Sequence, residues 1–385
     1  MTKNVVVVGG SYVGLNLAES LAKVAEGRFR VLLIERNSHF QHLFAFPRYA
    51  VTTSIPTHKA FIPYQVSRLG QNGSIIQAAV TRLTKSVIQL DRNVTLDGRQ
   101  THSIPYFALA IATGTKLTPP STLPGHDKLA GTEYLREHAS QIEHSNRIVV
   151  IGAGAVGVQM GTDIKELYPD KTVTLVHSRE KVMNCFHPAL HEVVRQRNSE
   201  LGIDMVVGRR VKLPKSGYPV GGDVFDVELT DGTKIPADFA IICTDQTPQS
   251  EAVRSLSPNC IDDEGFVKVR ATLQLQDEQL LNVFALGDIA ATAAPKAARP
   301  ATKQADVVTK NVVHLLDQEP LEKYEVTDPA AIHLTLGITK SVIFQNPSAA
   351  SNDEPAVLNQ DDGSLDMGID GVWARRGAGV MNAML

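Results

Sequence analysis

The first 35 residues combine two kinds of apolar pattern. Residues 4–8, NVVVV, form a short run of mostly β-branched side chains, which is typical of a buried strand. Two glycines follow, and apolar residues then recur at helical spacing as far as Val24. A second apolar run, residues 31–34, ends at Glu35. The pattern therefore predicts a strand, a tight turn, a helix and a second strand, which form one βαβ unit of a parallel sheet.

The same order of patterns returns in the middle of the chain. RIVVI at 147–151 precedes a glycine turn, a helical pattern to about Leu167, and the apolar run TVTLVHS at 172–178. LLNVFALGDIA at 280–290 predicts a further buried strand, and an amphipathic helix is predicted over 303–316. The two βαβ units lie too far apart for a short-period repeat. We therefore expect an α/β fold with two Rossmann-like dinucleotide-binding domains.

Composition and charge exclude several functional classes. Of 385 residues, 43% are hydrophobic, and 38 basic against 41 acidic residues give a formal net charge of −3, so no nucleic-acid partner is predicted. Three scattered cysteines without a CxxC pair predict neither a disulfide framework nor a redox-active disulfide. Neither a signal sequence nor an apolar run of about 18 residues is found. These features predict a cytoplasmic protein, monomer or homodimer, with peripheral membrane association left open.

The first glycine turn has the composition of a pyrophosphate-binding loop. Its small residues are Gly9, Gly10, Ser11 and Gly14, with serine in place of the middle glycine of GxGxxG. Small residues let backbone amides and a helix N-terminus approach the phosphates. Glu35, at the end of the second strand, can accept hydrogen bonds from an adenosine ribose. The alternative is a glycine turn that serves helix packing, beside a surface glutamate.

The second glycine turn carries the complete fingerprint, Gly152, Gly154 and Gly157. The acidic residue expected after its second strand is absent, because the strand is followed by His177. Without that carboxylate a 2′-phosphate is not repelled, and Arg179 could pair with it, as in an NADPH site. The alternative is that Arg179 is a solvated turn residue, so NADH and NADPH both stay open as the co-substrate.

A third motif, FALGD at 284–288, supports a flavin. Gly287 and Asp288 follow a buried strand, where ligands bind in open α/β sheets, and the aspartate can accept hydrogen bonds from the ribityl hydroxyls of FAD. The alternative is an aspartate that caps a helix. Two fingerprints in series allow one to hold FAD and the other to admit NAD(P)H, which reduces it. Without a redox-active cysteine pair, the electrons would pass directly from the flavin to a small acceptor.

These motifs together resemble a known family. Their order, from VVVVGGSYVG through Glu35, ATGT at 112–115 and IGAGAVG to VFALGD, is similar to that of the FAD/NAD(P)-binding, pyridine nucleotide-disulfide reductase-like superfamily. Within it the chain most resembles the apoptosis-inducing-factor-like NAD(P)H:quinone oxidoreductases, which include the AMID and ferroptosis-suppressor proteins. DIKELYPDKTVTLVHS at 163–178 closely echoes the corresponding stretch of that group. The resemblance covers roughly residues 4–325.

The resemblance implies roles for particular residues. The positions that match FAD contacts in such reductases are Gly9, Gly10, Ser11, Gly14, Glu35, Arg48, Thr113, Gly114 and Asp288, while Gly152, Gly154 and Gly157 match the nicotinamide-nucleotide loop. Gly287, in the motif that contains Asp288, is a further predicted cofactor-binding residue. Pro295 and Lys296 resemble a segment that brings a helix start toward the flavin. Lys296 is therefore a candidate catalytic residue that would stabilise negative charge on reduced flavin, and the alternative is a surface charge.

Two departures from the family pattern lie on the NAD(P)H side of the predicted site. Gln159 stands where the family often has a glutamate close to the nicotinamide, which makes it a second candidate catalytic residue. Thr244 and Asp245 replace a strand-end Thr-Gly pair, and an aspartate lacks the conformational freedom of glycine. These changes keep open a flavoenzyme whose NAD(P)H site is degenerate.

The stretch HFQHLFAFPRYAV at 39–51 is rich in histidine and aromatic residues. His39 and His42 lack further ligands in the sequence, so packing or polar contacts near FAD are favoured over a metal site, and no metal is predicted. Phe44 and Phe46 could line a flat pocket for a quinone or other aromatic substrate, or belong to an ordinary core.

The predicted architecture is an FAD-binding domain, residues 1–118 and 249–325, interrupted by an NAD(P)H-binding domain, residues 119–248, and followed by a C-terminal segment, residues 326–385. The leading hypothesis is an FAD-dependent oxidoreductase that passes electrons from NAD(P)H to a small quinone-like acceptor. One alternative is a flavin-dependent oxidase or dehydrogenase that acts on an aromatic metabolite. Another is a nucleotide-sensing interaction protein of the apoptosis-inducing-factor kind.

Overall fold

The computed structural model describes residues 3–244, 246–348, 354–377, 379–380 and 382–383, apart from the side chains of residues 298 and 299. It divides into two compact units. The first unit contains Met1–Gln41, Ile62–Lys116 and Gln246–Asp328, and the second contains His42–Phe61, Leu117–Asp245 and Pro329–Leu385. The second unit thus includes residues 42–61 and the C-terminal residues, which the sequence-based domain boundaries assign elsewhere. Those boundaries stay a prediction.

The α-helices in the described ranges are α1 (Tyr12–Val24), α2 (Phe46–Tyr49), α3 (Lys128–His144), α4 (Ala155–Leu167), α5 (Pro188–Leu201), α6 (Glu251–Leu256), α7 (Ala298–Asp317) and α8 (Ile369–Arg376). None of the helices in these ranges is both long enough and apolar enough to cross a lipid bilayer.

The β-strands of the same ranges are β1 (Lys3–Val8), β2 (Phe29–Glu35), β3 (His39–Gln41), β4 (Phe61–Pro63), β5 (Gly73–Gln77), β6 (Val80–Leu83), β7 (Val87–Leu96), β8 (Arg99–Pro105), β9 (Ala108–Ile111), β10 (Thr115–Leu117), β11 (Arg147–Ile151), β12 (Thr172–Val176), β13 (Asp204–Val206), β14 (Phe225–Glu228), β15 (Lys234–Ala237), β16 (Phe239–Ile242), β17 (Gln246–Pro248), β18 (Val267–Lys268), β19 (Val283–Ala285), β20 (Ala290–Ala291), β21 (Ala331–Thr335), β22 (Ser341–Gln345) and β23 (Ala356–Gln360).

The first unit is built around a five-stranded parallel sheet with the strand order β19-β9-β1-β2-β5. Strands β1, β2 and β9 are buried along nearly their whole length, as expected when both faces of a parallel sheet are covered. One hydrophobic core joins this sheet to the antiparallel sheet β6-β7-β8, with Ile34 and Leu109 on one side and Ile88 and Ile104 on the other. Helix α1 packs against β2 and α7.

The register of this sheet brings four strand ends to one edge. Val8 lies opposite Ile34 and Ile111, and Ile111 in turn lies opposite Ala285. Because these strands are parallel, the residues that follow them come out at the same edge, where open α/β sheets bind their ligands.

The second unit contains a four-stranded parallel sheet with the order β13-β12-β11-β16. Ile151, the last residue of β11, lies opposite Val176 and Ile242. The hairpin β14-β15 packs on the sheet through Val227 and Ala237. Helix α4 packs against β11, β12 and α5. Each unit therefore has its own parallel sheet with a βαβ start, and the predicted α/β class is confirmed.

The C-terminal residues of the second unit contain an antiparallel sheet, β21-β22-β23, and helix α8. The polar stretch 347–364 reads as a loop in sequence, and for residues 356–360 that interpretation is wrong. They form β23, whose side chains are mostly exposed, so no apolar alternation marks the strand. Pairing with β22 provides its backbone hydrogen bonds, which is a long-range effect.

A buried ion pair joins three segments of the second unit. The Nε atom of Arg48, in α2, lies 2.6 Å from Oδ2 of Asp163, in α4, and the two side chains are 1% and 0% exposed. The same guanidinium donates to the carbonyl oxygens of Gly337 at 2.9 Å and Ser364 at 3.1 Å. Burial of a charge is costly unless it is paired and hydrogen-bonded, and Arg48 has both kinds of partner.

We predict that Arg48→Met destabilises the protein by about 3–5 kcal/mol, because it leaves the Asp163 carboxylate buried without its cation. Urea unfolding followed by circular dichroism measures the loss. Arg195→Met is the matched control, since Arg195 pairs with Glu192 on an exposed helix surface and should cost less than about 1 kcal/mol. The double variant Arg48→Met/Asp163→Leu should recover part of the loss, and equal stability of Arg48→Met and the wild type would contradict the prediction.

Candidate cofactor sites

The glycine turn of the first unit is closed too tightly for side chains. Gly9 follows β1 with φ +101°, and a Cβ atom there would lie 2.5 Å from the carbonyl oxygen of Ala112. A Cβ atom on Gly14 would lie 1.8 Å from the carbonyl oxygen of Gly9. Only hydrogen fits at these two positions, so helix α1 starts in direct contact with the end of β1.

The start of α1 leaves backbone donors for a ligand. Ser11 is the N-cap residue, and its hydroxyl makes no capping hydrogen bond with a described residue. The first amide groups of a helix have no partner within the helix and carry a partial positive charge. Together with the glycine turn, they form the kind of cradle that binds a pyrophosphate.

Glu35 closes the turn from the neighbouring strand. It is 6% exposed, and its carboxylate accepts hydrogen bonds from the backbone N–H of Gly10 and, at 2.8 Å, from that of Asn37. Each carboxylate oxygen has a second lone pair that can accept from a ribose hydroxyl. The position at the carboxyl end of β2 is the one at which a ribose-binding acid is expected.

Two further loops reach the same edge of the first sheet. Thr113 and Gly114 follow β9, and both are held by Gln249, which donates to the Thr113 carbonyl at 2.7 Å and to the Gly114 carbonyl at 3.1 Å. Gly287 and Asp288 follow β19, and Gly287 has φ +74°. The structure therefore brings the predicted FAD residues of the first unit together at the ends of four parallel strands.

Three residues that the sequence motifs do not include support these loops. Besides Gln249, Tyr64 donates from its hydroxyl to the Gly10 carbonyl at 2.9 Å, and Gln304 accepts from the Gly287 N–H at 2.7 Å. Tyr64 and Gln249 lie 54 and 136 residues from their partners Gly10 and Thr113. No local pattern in the sequence marks such long-range contacts.

Lys296 and Asp288 lie close enough to affect each other's ionisation. Burial raises the pKa of Asp288, and the Lys296 charge acts in the opposite direction. Burial lowers the pKa of Lys296, while Asp288 acts to raise it. The Lys296 ammonium donates to the Ala290 carbonyl and lies 4.4 Å from the centre of the Phe266 ring. Its predicted catalytic role stays a prediction.

The residues of the first unit fit FAD. Because Gly9 and Gly14 have no Cβ atom, the turn can close tightly, and the amides at the start of α1 can bind a pyrophosphate. Glu35 and Asp288 supply acceptors for hydroxyl groups of the cofactor. Arg48, the remaining predicted FAD contact, belongs to the second unit, where its guanidinium is bound by Asp163 and two carbonyl groups.

The second unit repeats the geometry of the first turn. Gly152 has φ +106°, and a Cβ atom there would lie 2.6 Å from the Cys243 carbonyl oxygen. A Cβ atom on Gly157 would lie 1.8 Å from the Gly152 carbonyl oxygen. Gly154 is the N-cap of α4, and a Cβ atom there would enter open space, with no described atom within 4 Å. This turn also fits a dinucleotide pyrophosphate.

The residues after β12 differ from those after β2. His177 accepts a hydrogen bond at Nδ1 from the Ala153 N–H at 3.2 Å. Burial lowers the pKa of His177, and the neighbouring Arg179 lowers it further. Arg179 itself is exposed, and none of the described carboxylates forms an ion pair with it. The fingerprint of the second unit is thus complete without an acidic residue.

Gln159, in α4, contacts the C-terminal residues of its own unit. Its Nε2 atom lies 3.7 Å from Sδ of Met367, and it also lies close enough to Asp163 to stabilise that carboxylate. Its catalytic role stays a prediction, as do the nucleotide-binding roles of Gly152, Gly154, Gly157 and Arg179. Thr244 is described, whereas Asp245 lies outside the described residues.

The two histidines of the stretch 39–51 have different surroundings. Burial lowers the pKa of His42 to about 4, and Arg376 and Arg375 add to this effect. His39 contacts the hydroxyl of Ser38 through Nδ1 at 2.9 Å. Within the described ranges, no group of three or more His, Cys, Asp or Glu side chains could hold a metal ion.

Two glycine turns of the same dinucleotide-binding geometry define a two-nucleotide oxidoreductase fold. The family model described as pyridine nucleotide-disulphide oxidoreductase matches residues 3–305. The chain therefore belongs to the pyridine nucleotide-disulphide oxidoreductase family.

Individual relatives extend this comparison beyond the matched residues. The chain is 33% identical to Fe-regulated protein 8 of Mycosarcoma maydis, over 97% of this chain and 95% of that protein. It is 28% identical to ferroptosis suppressor protein 1 of Mus musculus, over 88% of this chain and 87% of that protein. The solved sulfide:quinone oxidoreductase of Aquifex aeolicus has the same fold, with a TM-score of 0.75 at 18% identity, over 97% of this chain and 90% of that chain.

The family assignment has consequences for several predictions. Family membership confirms the predicted resemblance and the predicted enzyme class, which is that of an FAD-dependent oxidoreductase. It also confirms the predicted cofactors, FAD and NAD(P)H. It leaves the acceptor of the electrons open.

We predict that Gly157→Ala destabilises the second unit and weakens NADP⁺ and NAD⁺ binding at least about tenfold, since its Cβ atom would displace α4 from β11. Gly161→Ala is the matched control in the same helix, because a Cβ atom there has no described neighbour within 4 Å and alanine favours the helix by about 1 kcal/mol. Thermal melting and nucleotide titration compare the two. Identical behaviour of the two variants would refute the steric explanation.

We predict that Glu35→Gln raises the dissociation constant for FAD about tenfold or more, because the amide loses the charge and turns an NH₂ group toward one of two backbone donors. Titration of the apoprotein with FAD, followed by flavin fluorescence, measures the change. Glu278→Gln is the control, since Glu278 is an exposed acid of the same unit. Unchanged FAD affinity in Glu35→Gln would show that the carboxylate has no part in the site.

Proposed function

We propose that the protein transfers electrons from NAD(P)H through FAD to a small quinone-like acceptor. The proposal depends most on one observation. The chain has two glycine turns with the same backbone closure, one closed by the carboxylate of Glu35 and the other by the imidazole of His177. Two turns that share their backbone but differ in this residue suit two different dinucleotides, a bound flavin and an exchanging nicotinamide nucleotide.

Residues of the chain have separable roles in this proposal. The amides at the start of α1 and the Glu35 carboxylate would hold the adenosine diphosphate half of FAD, and Asp288 would accept from its ribityl hydroxyls. Lys296, beside Asp288, would place a positive charge near the loop that follows β19. When bound, FAD would accept a hydride from the nicotinamide and release electrons to the acceptor.

The cysteines support a small acceptor over a disulfide. Cys185 is exposed, Cys243 is partly buried and Cys260 is buried, and all three are free. Burial raises the pKa of Cys243 to about 12, so its thiol stays protonated at neutral pH. A thiolate is required for disulfide exchange. The resemblance to the ferroptosis-suppressor group, together with the 28% identity to the mouse protein of that name, favours a quinone.

The test is anaerobic mixing of the FAD-loaded protein with NADH and, separately, with NADPH. We expect loss of oxidised-flavin absorbance with at least one nucleotide, followed by reoxidation when a water-soluble quinone is added. Oxidised glutathione serves as the disulfide control and should leave the reduced flavin unchanged.

Two results would contradict the proposal. Purified protein that binds no flavin would remove its basis. An intact flavin spectrum that neither nucleotide bleaches would instead favour an oxidase or dehydrogenase with a degenerate NAD(P)H site.

A further inference from the structure

The two parallel sheets allow a position-by-position comparison of the two turns. In the first unit Ile34 lies opposite Val8, and Glu35 follows it. In the second unit Val176 lies opposite Ile151, and His177 follows it. Glu35 and His177 are therefore structural counterparts, because each directly follows the residue that lies opposite the last residue of β1 or β11.

The counterparts make the same hydrogen bond with different charge. Glu35 accepts from the Gly10 N–H, and His177 accepts through Nδ1 from the equivalent Ala153 N–H at 3.2 Å. Acceptance of this hydrogen bond requires an unprotonated Nδ1, and burial and Arg179, which lower the pKa of His177, favour the same neutral form. A neutral ring that accepts at Nδ1 carries its proton on Nε2. The second turn is thus closed without a negative charge.

Positive charge is available just beyond His177. Arg179 is exposed, its backbone carbonyl accepts from the Gly208 N–H at 2.9 Å, and no described carboxylate pairs with its guanidinium. Arg209, which faces the same loop through its backbone, is paired with Asp231 at 3.2 Å. The Arg179 guanidinium, whose charge acts on His177, is therefore available to a ligand at this turn.

The first unit lacks this arrangement. The residue two positions past Glu35 is Asn37, whose N–H donates to the Glu35 carboxylate at 2.8 Å. Arg36 donates to the side-chain carbonyl of Gln249. The side chain that closes the turn is therefore negative in the first unit and uncharged in the second. In the second unit the exposed Arg179 adds a positive charge, while the carboxylate of the next residue, Glu180, lies against Gly208.

We propose that the second unit selects a 2′-phosphorylated dinucleotide, NADPH over NADH, through Arg179, with His177 closing the turn without charge. The inference rests on the proposed function, which requires a nicotinamide nucleotide but does not specify which. A carboxylate at this position accepts from a ribose 2′-hydroxyl and repels a 2′-phosphate, whereas a guanidinium binds the phosphate with charge-assisted hydrogen bonds.

Binding of oxidised nucleotides to the FAD-loaded protein tests the inference without turnover. Calorimetric titrations should give NADP⁺ a dissociation constant about 10- to 100-fold below that of NAD⁺, which is the range expected for hydrogen bonds to a charged group. Adenosine 2′,5′-bisphosphate should bind more tightly than adenosine 5′-monophosphate by a similar factor, because the two probes differ only at the 2′ position.

Substitutions at Arg179 and His177 test whether these two residues, and not the overall charge of the unit, determine the preference for NADP⁺. Arg179→Ala should weaken NADP⁺ about tenfold or more and leave NAD⁺ unchanged. Arg136→Ala, an exposed arginine of α3 in the same unit, is the control and should change neither. His177→Glu should weaken NADP⁺ and strengthen NAD⁺, while His177→Gln, which can still accept from Ala153, should keep the wild-type preference.

The outcomes separate this inference from the proposed function. Equal or tighter binding of NAD⁺ in the wild type, or equal weakening of both nucleotides in Arg179→Ala, would overturn the selectivity alone. Failure of both nucleotides to bind and to bleach the flavin would overturn the proposed function together with the inference.

Discussion

Both candidate cofactor sites depend on a helix that starts in van der Waals contact with the strand before it. A Cβ atom on Gly14 or Gly157 would lie 1.8 Å from the carbonyl oxygen of the first glycine of the same turn. This contact fixes where the free amides of α1 and α4 point, and therefore where a pyrophosphate can bind. The parallel sheets then bring the other ligand-binding loops to the same edge, because their strands end there.

In the two turns, the hydrogen bond that holds the glycine backbone in place is independent of the charge of the side chain that accepts it. Glu35 and His177 both accept a hydrogen bond from the second residue of the turn, so either side chain can hold the backbone in place. Only Glu35 brings a negative charge. A duplicated backbone can in this way accept two cofactors whose ribose groups differ, with little change elsewhere.

The second unit depends on a different kind of interaction. Arg48 connects α2, α4 and two carbonyl groups of the C-terminal residues from a fully buried position. The resemblance to known reductases assigns Arg48 to FAD, and its sequence position alone could not reveal the ion pair, because 115 residues separate it from Asp163. Its guanidinium is occupied by partners in its own unit, and a contact with FAD stays a prediction.

The sequence by itself determined the α/β class, the two βαβ starts and the fingerprint residues, because short β-branched apolar runs, period-3.6 apolar patterns and glycine spacing are local properties. It also revealed that His177 replaces an acid. Only the tertiary structure decided that His177 takes over the hydrogen bond of Glu35, that Gln249, Gln304 and Tyr64 support the first site, and that residues 356–360 form a strand. Those features rest on contacts between distant parts of the chain, which no local pattern records.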